Sequence, residues 1–177
     1  MTPAPREAIA FVALGSNLGR REDHLAGALA ALRDTAGIGA VVPSPVYETE
    51  PVGPGEQGAY LNAVARLSTR LEPRALLARL LAIESAAGRE RGPERNAART
   101  LDLDLLLHGA RCLEEPGLVL PHPRLHERGF VLEPLCDLAP DLVHPVLHVT
   151  VAELARRARD PRAVRRASAR TQFECDR

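Results

Sequence analysis

The sequence predicts a single α+β domain whose core elements run in the order βαββαβ, followed by appended helices and a short hairpin. Three observations carry this reading. Apolar residues switch between a period of two and a period of 3.6, the signatures of half-buried strands and amphipathic helices. Gly- and Pro-rich breaks fall between those segments. The length of 177 residues fits one domain with a full-sized core, and nothing in the chain reads as a linker, a repeat or a low-complexity tract.

Taken in order, Ile9 to Leu14 is a short apolar run closed by Gly15-Ser16-Asn17-Leu18-Gly19, a buried strand entering a tight loop. Arg21 to Asp34 sets Leu25, Ala28, Leu29 and Leu32 at helical spacing, and this helix closes near Gly37. Ile38 to Val46 is β-like but broken by Pro43 and Pro45, as in an edge or bulged strand. Thr49 to Gln57, rich in Pro and Gly, reads as a loop. Tyr60 to Thr69 alternates Leu61, Ala63, Ala65 and Leu67 against Tyr60, Asn62, Val64 and Arg66, the period of a third strand. Glu72-Pro73 opens a helix through Leu76, Leu77, Leu80, Leu81 and Glu84 that ends by Gly88. Arg89 to Ala98 has no apolar period and carries Arg89, Arg91 and Arg95 beside Gly92-Pro93, which predicts a mobile cationic loop. A strand through Leu101 to Leu107 follows and turns at His108-Gly109. Beyond it the sequence predicts a short strand around Cys112 and a Pro-rich segment from Leu118 to Arg124. A helix near Gly129 to Asp137 comes next, although Pro134 allows it to begin later, and a last helix spans about Val151 to Arg159. The Arg-rich end after Asp160 reads as frayed. The βαββαβ order is the split-βαβ, ferredoxin-like plan.

Composition narrows the function classes. Net charge is zero, so no global field draws the protein toward nucleic acid or an anionic membrane, and any anion affinity must be local. All 23 basic side chains are arginines. Without lysine there is neither Schiff-base chemistry nor a P-loop, and bound phosphates would be held by arginine forks. Cys112, Cys136 and Cys175 are far apart with no C-x-x-C pair, which predicts free thiols in a reducing compartment. The first ten residues make a poor signal peptide, and no apolar run approaches the roughly 20 residues of a membrane span, so the expected location is the cytoplasm.

The chemistry is expected at Asp102 and Asp104. Strand side chains alternate between faces, so the two carboxylates point one way, about 7 Å apart, while Leu101, Leu103 and Leu105 point into a core. Like charges that close raise each other's pKa unless a cation intervenes. Hard carboxylate oxygens suit Mg²⁺, which commonly brings phosphates with it, whereas an edge strand with two solvent-facing aspartates is the plain alternative. Arg99 lies three residues before Asp102, directly after the cationic loop, and this combination suits a polyphosphate. Glu84 is an isolated acid on an apolar helix face, either functional or a solvated helix end. His122, held between Pro121 and Pro123, is a candidate ligand contact or a surface turn. Arg128-Gly129-Phe130 sets a cation beside one of five aromatics, with core packing as the alternative for Phe130. Tyr60 and Asn62 share a strand face, a pairing suited to a flat heteroaromatic ligand or to an ordinary surface.

In this order the pieces resemble the 6-hydroxymethyl-7,8-dihydropterin pyrophosphokinase family of folate biosynthesis, over roughly Ile9 to Leu142. The resemblance rests on Gly15-Ser16-Asn17-Leu18-Gly19, on Tyr47 with Thr49-Glu50-Pro51-Val52-Gly53, and on Tyr60-Leu61-Asn62. Arg99 to Asp104, Pro121-His122-Pro123 and Arg128-Gly129-Phe130 complete it. It implies an ATP-dependent diphosphokinase with two Mg²⁺ ions on Asp102 and Asp104. Arg89, Arg91 and Arg99 would contact phosphates, with Arg89 and Arg99 in the catalytic set. His122 and Arg128 would hold the nucleotide, and Glu84 falls where the family has a nucleotide-side acid. Thr49, Pro51, Val52, Gly53, Tyr60, Asn62 and Phe130 would form the pterin pocket. The partners implied are ATP and a reduced pterin, with no nucleic acid, membrane or obligate protein partner. Loops 49–58 and 89–98 would close as lids, because water must be excluded before an anhydride is attacked. Residues 1–160 would form the pyrophosphokinase domain, and 161–177 an Arg-rich flexible tail. The sequence departs from the family at Asn96, where some members carry tryptophan, at Gly92, a lysine position, and at Gly117, an arginine position. Lid contacts therefore differ, with Arg95 a candidate substitute.

Two rival readings remain open from sequence. A polymerase-like nucleotidyltransferase also combines Gly-Ser with D-x-D, but there the pair lies close ahead of the aspartates, whereas Gly15-Ser16 is far upstream. A non-catalytic ferredoxin-like module binding RNA is opposed by zero net charge and scarce aromatics.

Overall fold

A computed structural model describes residues 7–50, 58–88, 99–158 and 164–168. The first strand, β1 (Ala8–Ser16), lies at the centre of the main sheet, with β4 (Tyr60–Thr69) on one side and β5 (Asp102–His108) on the other. Both pairings are antiparallel. The far edge of β4 is taken by β2 (Ile38–Pro43) and then by β3 (Tyr47–Thr49), which is itself flanked by β8 (Val164–Arg166). Prolines in this edge chain explain the division. Pro43 and Pro45 cannot donate to a ladder, and between them Ser44 takes over: its N–H donates to Val64 O (2.8 Å) and its Oγ accepts from Val64 N–H (2.9 Å).

Helix α1 (Arg21–Arg33) buries Leu25, Ala28, Leu29 and Leu32, the four positions that its sequence period selects. Helix α2 (Pro73–Ala86) begins with proline at its first turn, where the missing N–H costs nothing, and buries Leu76, Leu80 and Glu84. These helices cover one sheet face, where Val12 and Leu14 of β1 meet Leu61, Ala65 and Leu67 of β4 and Leu103 and Leu105 of β5. The opposite face is covered over part of its length by α3 (Gly129–Leu138) and α4 (Val151–Arg157), which pack on Phe11, Val64 and Leu106. A two-stranded hairpin, β6 (Leu113–Glu115) with β7 (Leu118–Leu120), lies beside α2 and is tied to it by Arg74–Glu115 and Arg111–Glu72 ion pairs.

The structure departs from the sequence reading in several places. Tyr47–Thr49 forms a strand, so Thr49 ends an element rather than opening a loop. Helix α3 runs through Pro134, which lies past its first turn; the bond to the Phe130 carbonyl is forgone there, and burial of the ring with Val131, Leu132 and Leu135 offsets that cost. The strand sought around Cys112 starts at Leu113, and its partner arises inside the Pro-rich segment. The tail is not wholly frayed: Val164–Arg166 pairs with β3, and Arg166 donates to both carboxylate oxygens of Asp137 at 3.2 Å. Asp137 also accepts from the Tyr47 hydroxyl at 2.6 Å. Burial and this bond push the Tyr47 pKa up to about 12. Among the described residues no helix is long and apolar enough to cross a membrane.

Candidate active site

Three strands carry the site in register. Gly15 of β1 pairs with Asn62 of β4 on one side and with Asp102 of β5 on the other. One row further along, Ala13 lies between Val64 and Asp104. Asp102 and Asp104 therefore share a face, as alternation requires, while Leu101, Leu103 and Leu105 enter the core beneath. The Phe11 end of this same face lies under α3 and α4, and the Gly15 end carries the polar residues.

Each carboxylate has a cation beside it. Arg99 Nη1 lies 2.8 Å from Asp102 Oδ2, and Arg128 Nη1 lies 3.3 Å from Asp104 Oδ2. The Arg128 guanidinium also stands 5.7 Å from the Phe130 ring centroid, within cation–π range. Phe130 is half-buried, with one side on the α3–α4 core, so packing and access to the site coexist in it. His122 Nε2 stands 4.0 Å from Asp104 Oδ2, and its Nδ1 accepts from Arg124 N–H at 3.2 Å. Burial holds the His122 pKa below the usual histidine value, against the opposing pull of Asp104. The neutral ring thus carries its proton on Nε2, facing the carboxylate.

The Gly15-Ser16-Asn17 turn has a structural task that the sequence did not disclose. Asn17 N–H donates to Arg99 O (3.1 Å), and Arg99 N–H donates to Asn17 Oδ1 (2.7 Å). Ser16 Oγ donates to Thr100 O at 2.6 Å. Arg99 is thereby fixed through its backbone before its side chain reaches Asp102. The only trace of this in the sequence is a small polar pair at the end of a buried strand. Glu84 is a second surprise. It is only 2% exposed, so it is not a solvated helix end, and its Oε1 accepts from Leu103 N–H at 2.7 Å. Leu103 lies between the two aspartates on the outer strand of the sheet, where an outward N–H under a helix needs an acceptor.

On the opposite wall, Asn62 Nδ2 donates to Thr49 Oγ1 at 2.9 Å, and both residues are buried. Tyr60, half-buried, lies on the same strand face as Asn62. Pro51, Val52, Gly53, Arg89 and Arg91 lie outside the described residues, as do most of both expected lid loops. No cluster of three or more His, Cys, Asp or Glu able to hold a metal occurs among the described residues. The donor set is thus two carboxylates on one face. This fits Mg²⁺, which binds through one or two carboxylates and fills its shell with water and phosphate oxygens.

Paired carboxylates with arginines on one side and an aromatic–amide wall on the other are the side-chain types that phosphoryl transfer calls for, since it works by positioning and neutralising charged oxygens. Comparison with known proteins makes this specific. The profile of the family described as 7,8-dihydro-6-hydroxymethylpterin-pyrophosphokinase (HPPK) matches residues 11–140, and the chain belongs to that family. The 2-amino-4-hydroxy-6-hydroxymethyldihydropteridine pyrophosphokinase of Haemophilus influenzae is 39% identical over 156 residues, covering 88% of this chain and 96% of the relative. The Pseudomonas aeruginosa protein of the same name is 46% identical over 135 residues, covering 76% and 83%. The crystal structure of a Plasmodium falciparum HPPK-DHPS triple mutant superposes with a TM-score of 0.67 at 17% identity, a likeness of fold. It covers 88% of this chain and 45% of that longer one.

Proposed function

We propose that this protein transfers the β,γ-diphosphate of ATP to the hydroxymethyl group of 6-hydroxymethyl-7,8-dihydropterin, releasing AMP, as a step of folate biosynthesis. The observation that carries the reading is the register row Asn62–Gly15–Asp102, which sets an amide and a carboxylate on either side of one strand inside a family match. Asp102 and Asp104 would hold Mg²⁺, with two ions expected. When bound, the metal neutralises triphosphate charge and favours the ionised form of the attacking hydroxyl.

The chain's own residues do the rest. Arg99, anchored by Asn17, presents a planar fork to a phosphate oxygen as charge spreads during transfer. Arg89 completes the catalytic arginines. Arg91, His122 and Arg128 hold the nucleotide: neutral His122 donates from Nε2, and Arg128 turns from Asp104 to phosphate. Glu84 acts on the nucleotide side. Thr49, Pro51, Val52, Gly53, Tyr60, Asn62 and Phe130 form the pterin pocket. Thr49 takes one N–H of the Asn62 amide and so orients it, with the oxygen placed to accept from an N–H edge of the ring.

The strand order β5-β1-β4-β3 with antiparallel neighbours supports the ferredoxin-like βαββαβ plan. The enzyme would work in the cytoplasm without an obligate protein partner, as a catalytic unit over residues 1–160. That it covers nearly all of the Haemophilus relative supports this. The test is incubation of the purified protein with ATP, Mg²⁺ and the reduced hydroxymethylpterin. AMP and pterin diphosphate are expected. ADP, or inorganic diphosphate with a nucleotidylated product, overturns the reading.

A further inference from the structure

The C-terminal strand β8 belongs to the architecture around the site. It adds to the outer edge of β3, pairing Arg166 with Tyr47 and Val164 with Thr49, and Ala167 N–H donates to Val46 O at 2.8 Å. Three side chains meet where β3, β8 and α3 come together. The Tyr47 hydroxyl donates to Asp137 Oδ2 at 2.6 Å, and Arg166 Nη2 donates to both Asp137 oxygens at 3.2 Å. The Arg166 guanidinium also stands 6.0 Å from the centroid of the Tyr47 ring, at the limit of cation–π range. Each of the three therefore touches the other two.

The cluster lies outside the groups expected to touch ATP, metal or pterin, yet it joins two elements that carry such groups. Tyr47 stands two residues before Thr49 on the same face of β3, and Thr49 accepts from the Asn62 amide at 2.9 Å. Asp137 stands seven residues after Phe130, about two turns further along the same side of α3. The Tyr47–Asp137 bond thus ties the strand bearing Thr49 to the helix bearing Phe130. Strand β3 is only three residues long, so few ladder bonds fix it and a side-chain tie carries weight. With an ionised acceptor that tie is of the strong, short kind. Arg166 neutralises the carboxylate and, by reaching both oxygens, fixes its rotation.

We propose that Tyr47, Asp137 and Arg166 are positioning residues for the pterin: they hold β3 against α3 and so set the spacing between Thr49 and Asn62 on one side and Phe130 on the other. This rests on the pterin pocket of the proposed function. The ATP side is expected to be spared, because Asp102 and Asp104 lie on β5, three places from β3 in the sheet, and Arg99 is anchored by Asn17.

The test compares the full chain with its Arg166→Gln, Tyr47→Phe and double variants. Thermal unfolding, AMP formation with each substrate varied, and calorimetric pterin binding in the presence of Mg²⁺ and a non-hydrolysable ATP analogue are measured. Arg166→Gln removes an exposed ion pair, so it should melt within about 3 °C of the wild type. Each single variant should lower kcat/KM for the pterin about tenfold, the loss expected for a hydrogen bond to a charged group, and leave KM for ATP within about twofold. Because both act through one carboxylate, the double variant should also fall about tenfold, short of the roughly hundredfold of independent sites. Arg166→Lys should restore part of the loss, since it keeps the charge without the fork. Unchanged pterin kcat/KM and affinity in Arg166→Gln overturns the proposal. Equal losses for ATP and pterin, or multiplying losses in the double variant, also overturn it, as marks of a merely structural contact. If Tyr47→Phe does not fold, Arg166→Gln decides alone. A wild type that binds pterin but forms no AMP strikes the parent reading, and the pterin affinities of the variants then decide this one.

Discussion

The same three strands, β4, β1 and β5, end in two different ways on one sheet face. At one end Val64, Phe11 and Leu106 sit under α3 and α4 and are almost wholly buried. At the other, a few residues along the same register, stand Asn62, Gly15, Asp102 and Asp104, with arginines and a histidine around the carboxylates. Strand geometry is common to both ends. What differs is side-chain size and polarity, and with them whether a helix can close over the sheet. Closing α3 over the polar end would desolvate two carboxylates, a penalty that ion pairs do not reliably repay. Among the described residues the helices therefore stop where the apolar side chains stop, and no helix lies over the polar end.

This contrast predicts that the two ends fail differently. The largest effect belongs to the open end: Asp102→Ala or Asp104→Ala should lower Mg²⁺-dependent AMP formation about 10³-fold or more, since several kcal/mol of charge stabilisation is lost. The melting temperature should change little, because partly exposed ion pairs contribute about 1 kcal/mol or less. Retained activity in both variants would erase the distinction. At the covered end Leu106→Ala should cost about 2–5 kcal/mol in urea unfolding with both KM values preserved. If Leu106→Ala changed KM without changing stability, the ends would not be separable.

Arg99→Ala should reduce turnover about 10- to 10²-fold, as for loss of a charged hydrogen bond. Arg99→Lys should recover only part of it, because the planar fork is absent. Steady-state kinetics on the two variants decides this.

The smallest effect concerns the turn joining α3 to α4. His144 is buried, and its Nδ1 accepts from Val146 N–H (3.3 Å) and Leu147 N–H (3.2 Å). Burial first, then the neighbouring His126 and His148, hold its pKa below the ordinary value. The unfolded chain thus takes up a proton that the folded chain resists. The stabilisation is fully present above about pH 6.5 and fades as pH falls below that toward the folded pKa. Melting curves of wild type and His144→Asn between pH 7.5 and about 5 should converge on the acid side. Parallel curves would remove His144 from the account.

How much of this was legible in sequence follows from the range of each interaction. Leu25, Ala28, Leu29 and Leu32, or the alternation from Tyr60 to Thr69, report local periodicity, and α1 and β4 lie where that periodicity puts them. The shared face of Asp102 and Asp104 was readable for the same reason. Glu84 illustrates the limit. Its helix was evident, but an acid on an apolar face reads the same whether it meets water or a backbone N–H, and only the arrival of β5 beneath α2 assigns Oε1 to Leu103. Ser16 and Asn17 meet residues 84 and 82 positions away, so their bonds to Thr100 and Arg99 leave no periodic trace. The same holds for β8, three residues of an Arg-rich tail that become a strand because β3 presents an unpaired edge and Asp137 receives Arg166.

By itself, then, the sequence determined the elements, the faces they bury and the two carboxylates that face away from the core, because alternation and helical period are properties of neighbouring residues. The tertiary structure decided which strand lies between Asn62 and Asp102, what anchors Arg99, and where the helices leave the sheet uncovered. Those depend on strand register and on the cost of burying charge, which exist only once distant segments have met.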